Sequence, residues 1–191
     1  VCKQYYCELK KQIKEEGEEL KIATIFSYAP NSDEYSEGIL GDESFDTQGL
    51  DLTSREILDL AIRDYNNTFQ TNFDADSGFE EYYKDVSDRM KKRELDMLVV
   101  VDMFLTGFDA TTLNTLWLDK NLRMHGLIQA YSRTNRILNS VKKFGNIVCF
   151  REVSKETEDA ISLFGDKDAS GDVLLKDYED YYFGYVDSKD K

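Results

Sequence analysis

The chain holds 191 residues, with 24 Lys and Arg against 38 Asp and Glu, one His, three Cys and one Pro. One domain fits that length, and a content of 41% hydrophobic and 13% aromatic residues suits a chain that buries a core, which argues against disorder. The apolar run Leu98–Val101 stops at Asp102 where a membrane span needs about 20 residues, no leader pattern opens the chain, and a start at Val1 instead of Met suggests a piece of something longer.

In chain order, residues 1–16 predict an amphipathic helix ending near Gly17. Leu20–Tyr28 predicts a buried strand, being apolar, rich in β-branched residues and followed by Pro30. Asn31–Gly49 has three glycines and no basic residue, and predicts an acidic surface loop or insertion over about 31–50. Thr53-Ser54-Arg55-Glu56 has the capping-box spacing and predicts a helix to about Phe69. Residues 79–93 predict another. Leu95–Val101 predicts a strand buried on both faces, because the run is continuously apolar. Thr115–Asp119 predicts a short strand, His125–Leu138 a helix, Asn146–Phe150 a strand and Ser154–Phe164 a helix, with 165–191 as a C-terminal extension. Strands separated by helices predict an α/β fold with a mainly parallel sheet covered on both faces.

The charge is uneven. A formal net charge of −14 argues against indiscriminate coating of nucleic acid. Yet residues 110–151 hold Lys120, Arg123, Arg133, Arg136, Lys142, Lys143 and Arg151 against Asp119 alone, a balance of +6 that leaves −20 elsewhere. Lys84, Arg89, Lys91, Lys92 and Arg93 form a second basic cluster. Contact with phosphates through selected faces would look like this; so would an ordinary mixed surface. Cys2, Cys7 and Cys149 match no disulfide framework or zinc spacing, and His125 is the lone histidine. A His-paired catalytic thiol or a two-His metal site is therefore not expected.

Two segments could carry chemistry. At 100° per residue, Gln129, Arg133 and Arg136 fall within an arc of roughly 60° on the expected helix, opposite Leu127, Tyr131 and Leu138. Guanidinium forks match phosphate oxygens and stay charged at physiological pH, although a solvated polar face would use the same residues. The loop Leu105-Thr106-Gly107-Phe108-Asp109 follows the strand Leu95–Val101, and ligands of open α/β sheets bind beyond strand carboxyl ends. Thr106 brings a hydroxyl, Gly107 permits close approach of the backbone, and Asp109 can hold a ribose, a metal-bound water or an arginine.

Thr106-Gly107-Phe108-Asp109, followed by Gln129-Ala130-Tyr131-Ser132-Arg133-Thr134-Asn135-Arg136, resembles motifs V and VI of superfamily 2 helicases. Motif VI there reads Q-x-x-G-R-x-x-R, with Ser132 in place of the glycine. The longer strings MFLTGFDATTLNTLWLDKNLRMHGLIQAYSRTNRI and KIATIFSYAPN, with NIVCFRE and LFGDKDASGDVLLKDYEDYY, are similar to the restriction (R, motor) subunit of Type I restriction–modification enzymes. In that family the serine is ordinary.

The resemblance implies a three-layer RecA-like domain, the second of two motor domains, in an ATP-dependent DNA translocase coupled to cleavage. It implies ATP and Mg²⁺ shared with the first motor domain, and no phosphate loop of the form G-x-x-x-x-G-K-[ST] occurs in this chain. Arg133 and Arg136 would act on the β/γ-phosphates, while Gln129, Gly107 and Asp109 would face the nucleotide. Ser27, Tyr28, Thr106, Lys120 and Arg123 would face DNA. The implied partners are double-stranded DNA, the first RecA-like and nuclease domains of the subunit, and the methylation and specificity subunits. The implied setting is cytoplasmic, without membrane. Two other readings stand beside this one: another superfamily 2 helicase, and a calcium-binding loop of EF-hand pattern at Asp166-x-Asp168-x-Ser170-Gly171-Asp172-Val173 with Asp177 at position twelve.

Overall fold

The computed structural model describes residues 2–27, 45, 47, 50–101, 103–105 and 107–164. The acidic segment 31–50 falls mostly outside them; Tyr28, Thr106 and the extension 165–191 with its EF-hand-like loop fall entirely outside. The elements in order are α1 (Cys2–Glu16), β1 (Ile22–Ile25), α2 (Leu52–Phe69), α3 (Phe79–Lys92), β2 (Met97–Val100), β3 (Thr115–Leu118), α4 (Met124–Tyr131), β4 (Asn146–Cys149) and α5 (Ser154–Phe164). Gly17 ends α1 with φ of +71°, a left-handed conformation that glycine takes without a Cβ penalty.

The strands form two parallel pairs. β1 runs beside β2 with Ile22 opposite Met97 and Ile25 opposite Val100. β3 runs beside β4 with Thr115 opposite Asn146 and Leu118 opposite Cys149. The single central sheet expected from the sequence is thus present, among the described residues, as two separate two-stranded sheets. After β2 the chain turns inward: Met103, Phe104, Phe108 and Ala110 join the main core instead of feeding a third strand. Parallel strands joined through helices give an α/β architecture, as expected.

Layering is clear around β1 and β2. On one side the main core joins Ala23 and Ile25 to Leu58 and Ile62 of α2 and to Phe79, Tyr82, Val86 and Met90 of α3. On the other, α1 brings Tyr6, Leu9 and Ile13 against Ile22, Met97 and Val99. Burying a Leu or Ile side chain contributes about 1.5–3 kcal/mol, so these apolar faces dominate the hold on the strands. Tyr82 is fully buried and spends its one hydroxyl proton on the Thr24 carbonyl at 2.9 Å. Aromatic rings of Tyr65, Phe73 and Phe79 surround it at centroid distances of 5.0–6.2 Å. Helix α1 also reaches both strand pairs. Cys2 Sγ lies 3.4 Å from Thr24 Oγ1 in β1, and Tyr5 donates its phenol proton to Asp119 just past β3 at 3.1 Å. Beside β3 and β4, α4 and α5 meet through Tyr131, whose hydroxyl lies 2.8 Å from Thr157 Oγ1 and whose pKa burial pushes up to about 12.

Three local expectations are corrected. Helix α2 is capped by Asp51 and not Thr53: its carboxylate accepts from Ser54 N at 2.9 Å and Ser54 Oγ at 2.6 Å, which lowers the Asp51 pKa. A carboxylate is the stronger acceptor for orphan helix-start donors and also favours the helix dipole. Strand β2 is half-buried along its length, where burial on both faces was expected. Helix α4 stops at Tyr131, seven residues before Leu138.

Candidate functional site

The early end of α4 changes the predicted site. In a continuing helix the N–H of Arg133 would take the Gln129 carbonyl. Instead Arg133 N bonds Ala130 O at 3.1 Å, and Thr134 N bonds Tyr131 O at 3.3 Å, a tightened turn. The Gln129 carbonyl is taken by side chains: Ser132 Oγ at 2.7 Å and Arg133 Nε at 3.1 Å. So Gln129, Arg133 and Arg136 do not share one helix face. Gln129 lies in the last turn of α4, Arg133 in the turn after it and Arg136 in the loop beyond.

The turn nevertheless brings them to the loop after β2. Arg133 Nη1 donates to the Phe108 carbonyl, and Nη2 donates to Ser132 Oγ at 2.9 Å. Arg136 Nε lies 3.5 Å from Asp109 Oδ1, an ion pair with both side chains more than half exposed, at 56% and 57%. Phe108 is held from below. Its ring is buried in the main core, set edge-on to Phe104 at 4.6 Å, with the Lys91 ammonium 5.8 Å from its centroid. A core side chain thereby fixes the carbonyl that receives Arg133. Beside it Gly107 has φ of +68°, a conformation costly for any residue with a Cβ.

The turn is secured from its far side as well. Lys142 Nζ donates to the carbonyls of Thr134, at 2.8 Å, and Arg136. Burial lowers the Lys142 pKa. Lys142 belongs to the basic segment 110–151, and its ammonium faces the protein backbone. Gly145 lies against Thr134 so closely that a Cβ there would overlap the Thr134 backbone. Gln129 Oε1 is buried without a hydrogen-bond partner among the described residues.

Of the predicted site residues, Gln129, Arg133, Arg136 and Asp109 are joined by these bonds, with Gly107 next to the receiving carbonyl. Ser27 follows β1, half-buried; Lys120 follows β3, half-buried; Arg123 is exposed at the N-cap of α4. None of these three belongs to the bonded group just described. Asp119, between β3 and Lys120, accepts from Arg151 Nε at 2.7 Å and from Tyr5, and these bonds lower its pKa. Sequence reasoning did not place Phe108, Ser132 or Lys142 in the site. A backbone carbonyl leaves no sequence signal, and the only hint of Ser132 was its stand against the glycine of the general motif.

Comparison with known proteins gives a family. The model for domain 3 of the Type I restriction enzyme R subunit matches residues 1–152. The chain belongs to the Type I restriction enzyme R-subunit family. A Type I restriction enzyme endonuclease subunit of Staphylococcus aureus strain MRSA252, SauMRSORF196P, is 41% identical over 189 residues, covering 96% of this chain and 19% of its own length. SsaAORF53P of Staphylococcus saprophyticus, also a Type I endonuclease subunit, is 44% identical over 187 residues with the same coverage. HindI of Haemophilus influenzae is 35% identical over 106 residues, 54% of this chain and 10% of that protein. This chain therefore spans about a fifth of the length of the first two R-subunit relatives. Among the described residues no helix is long and apolar enough to cross a membrane.

Proposed function

We propose that residues 1–191 are the second motor domain of a Type I restriction R subunit, and that Arg133 and Arg136 act on the phosphates of ATP held against the first motor domain. One observation carries this reading: the Arg133 guanidinium joins the segment 129–136 to the loop 107–109, the two stretches that resemble helicase motifs VI and V. They meet beside the last turn of α3, where Lys91 lies over the Phe108 ring, and next to Gly145 at the start of β4. The alternative of another superfamily 2 helicase is disfavoured, because the matching family and the relatives above are Type I restriction subunits.

The donor set fits a polyphosphate. Arg133 spends three of its five N–H groups on protein oxygens and keeps one on each terminal nitrogen. That pair suits two oxygens of one phosphate. Arg136 is exposed and loosely paired with Asp109, so it can leave that carboxylate for a stronger anion at little cost. ATP and Mg²⁺ are, on this reading, shared with the first motor domain. With Mg²⁺ bound, ATP supplies phosphoryl transfer to water, whose free energy drives movement along DNA. Arg133 orients the phosphate from a fixed frame, and Arg136 places a second positive charge where negative charge grows. Because Asp109 and Phe108 are in the loop that resembles motif V, any shift of the arginines on hydrolysis is passed to that loop. Ser27, Tyr28, Thr106, Lys120 and Arg123 are then the proposed DNA-side residues, and double-stranded DNA with the nuclease, methylation and specificity parts of the complex the proposed partners.

The test is DNA-stimulated ATP hydrolysis by the full-length subunit carrying R136A. Loss of an arginine finger lowers turnover by roughly 10³–10⁵. Turnover within about threefold of wild type, under ~0.7 kcal/mol of barrier, would reject the reading.

A further inference from the structure

Ser132 closes a small ring of bonds around the Arg133 guanidinium. It caps α4 with φ of −64° and ψ of −11°. Its Oγ donates to the Gln129 carbonyl at 2.7 Å and accepts from Arg133 Nη2 at 2.9 Å. A hydroxyl has one proton to give, so giving it to the carbonyl leaves its lone pairs for the guanidinium. The same Gln129 carbonyl accepts Arg133 Nε at 3.1 Å, while Nη1 rests on Phe108 O. The planar group is thus held at all three nitrogens, two of them through the ring that Ser132 completes.

We propose that Ser132 is a positioning residue: its hydroxyl fixes the plane of the Arg133 guanidinium so that the two remaining N–H groups meet a phosphate oxygen pair in one orientation. The inference rests on the phosphate reading given above and adds the residue that sets the geometry. In the general superfamily 2 pattern a glycine stands here, and a glycine has no group with which to do this. The competing account is local. A serine near a helix end commonly bonds back to an earlier carbonyl with no effect beyond the helix. That account gives no reason for turnover to depend on the hydroxyl.

The experiment measures ATP turnover by the full-length subunit, assembled with its partner subunits and saturated with DNA. Misplacement of a reacting group by about 1 Å can cost roughly 100-fold, so S132A is expected to lower kcat by about 10- to 100-fold. The KM for ATP should stay within about threefold, since substrate binding alone does not need the aligned fork. S132T keeps the hydroxyl and should restore kcat to within about threefold of wild type. In a background of R133K, which has no fork to align, adding S132A should change kcat by less than about threefold. Wild-type kcat in S132A, an equal loss in S132T and S132A, or a full further loss in the double variant would each overturn the proposal. R136A separates the two levels, because Arg136 takes no part in the ring. If R136A and R133K lose turnover while S132A keeps it, the Ser132 proposal alone falls. If R136A and R133K both keep wild-type turnover, the phosphate reading falls and this proposal with it.

Discussion

The two arginines should differ in what their loss does to stability. Arg133 is half-buried and donates to three protein oxygens, one of them 25 residues away on Phe108. A hydrogen bond from a charged group contributes about 1.5–3 kcal/mol, and the two local bonds are partly replaced when Ser132 alone holds the Gln129 carbonyl. R133A should therefore cost about 2–3 kcal/mol. Arg136 faces Asp109 at 3.5 Å in solvent, where the Coulomb energy is about 1 kcal/mol before salt screens it. Exposed pairs of this kind contribute about 0–1 kcal/mol once side-chain ordering is counted. For a chain of this size 1 kcal/mol moves the melting midpoint by roughly 2–4 °C. Thermal unfolding followed by far-ultraviolet circular dichroism should show R133A lower by roughly 4–12 °C and R136A by no more than about 4 °C. Only the R136A shift should vanish in high salt, at about 0.5 M. Equal shifts, or a larger one for R136A, would refute the frame assigned to Arg133. The asymmetry also makes R136A the cleaner probe of chemistry, since its fold is spared.

Y82F should cost about 1–3 kcal/mol in urea unfolding, because it leaves the Thr24 carbonyl without its phenol donor inside the core; Y65F should cost less, since Asp85 keeps Arg89 as a partner at 2.8 Å. G145A should destabilise by about 1–3 kcal/mol, because the new Cβ must displace the Thr134 backbone, and should lower turnover in the full-length subunit as the arginine turn shifts. Hydrogen bonds hold the pKa values of Asp51 and Asp74 below the ordinary range. The unfolded chain then binds protons first as pH falls, so stability is complete above about pH 4 and is lost as pH drops through the folded values. D74N should flatten that acid limb, read as urea midpoints from pH 6 to about 3; an unchanged slope would count against these bonds.

Much of the fold was legible because its signals are local. The apolar stripe of α1 and the β-branched run of β1 each reported burial or backbone preference that the structure repeats. The cap of α2 is Asp51 and not Thr53, because the Asp51 carboxylate reaches the Ser54 N–H, a contact that only the geometry shows. The arginine site was legible in residue type and not in arrangement. Periodicity placed Arg133 and Arg136 on a helix that ends before either, since it cannot see Ser132 and Arg133 taking the carbonyl that the next turn needed. Nor could it see Lys142 turned inward onto two carbonyls, or the Phe108 ring anchoring an acceptor in the core. These are long-range or backbone partnerships, and residue identity carries no record of them.

The central claim is that Arg136 and Arg133 bind charge that grows on a phosphoryl group, and its most direct measurement compares two affinities in the full-length subunit. One is for ADP with Mg²⁺; the other is for ADP with Mg²⁺ and aluminium fluoride, which mimics the transferring phosphoryl group. Groups that serve the transition state tighten binding of such a mimic by 10² or more over the ground state. R136A should keep ADP affinity within about threefold while losing at least about 100-fold for the mimic. An unchanged ratio of the two affinities in R136A would contradict the account.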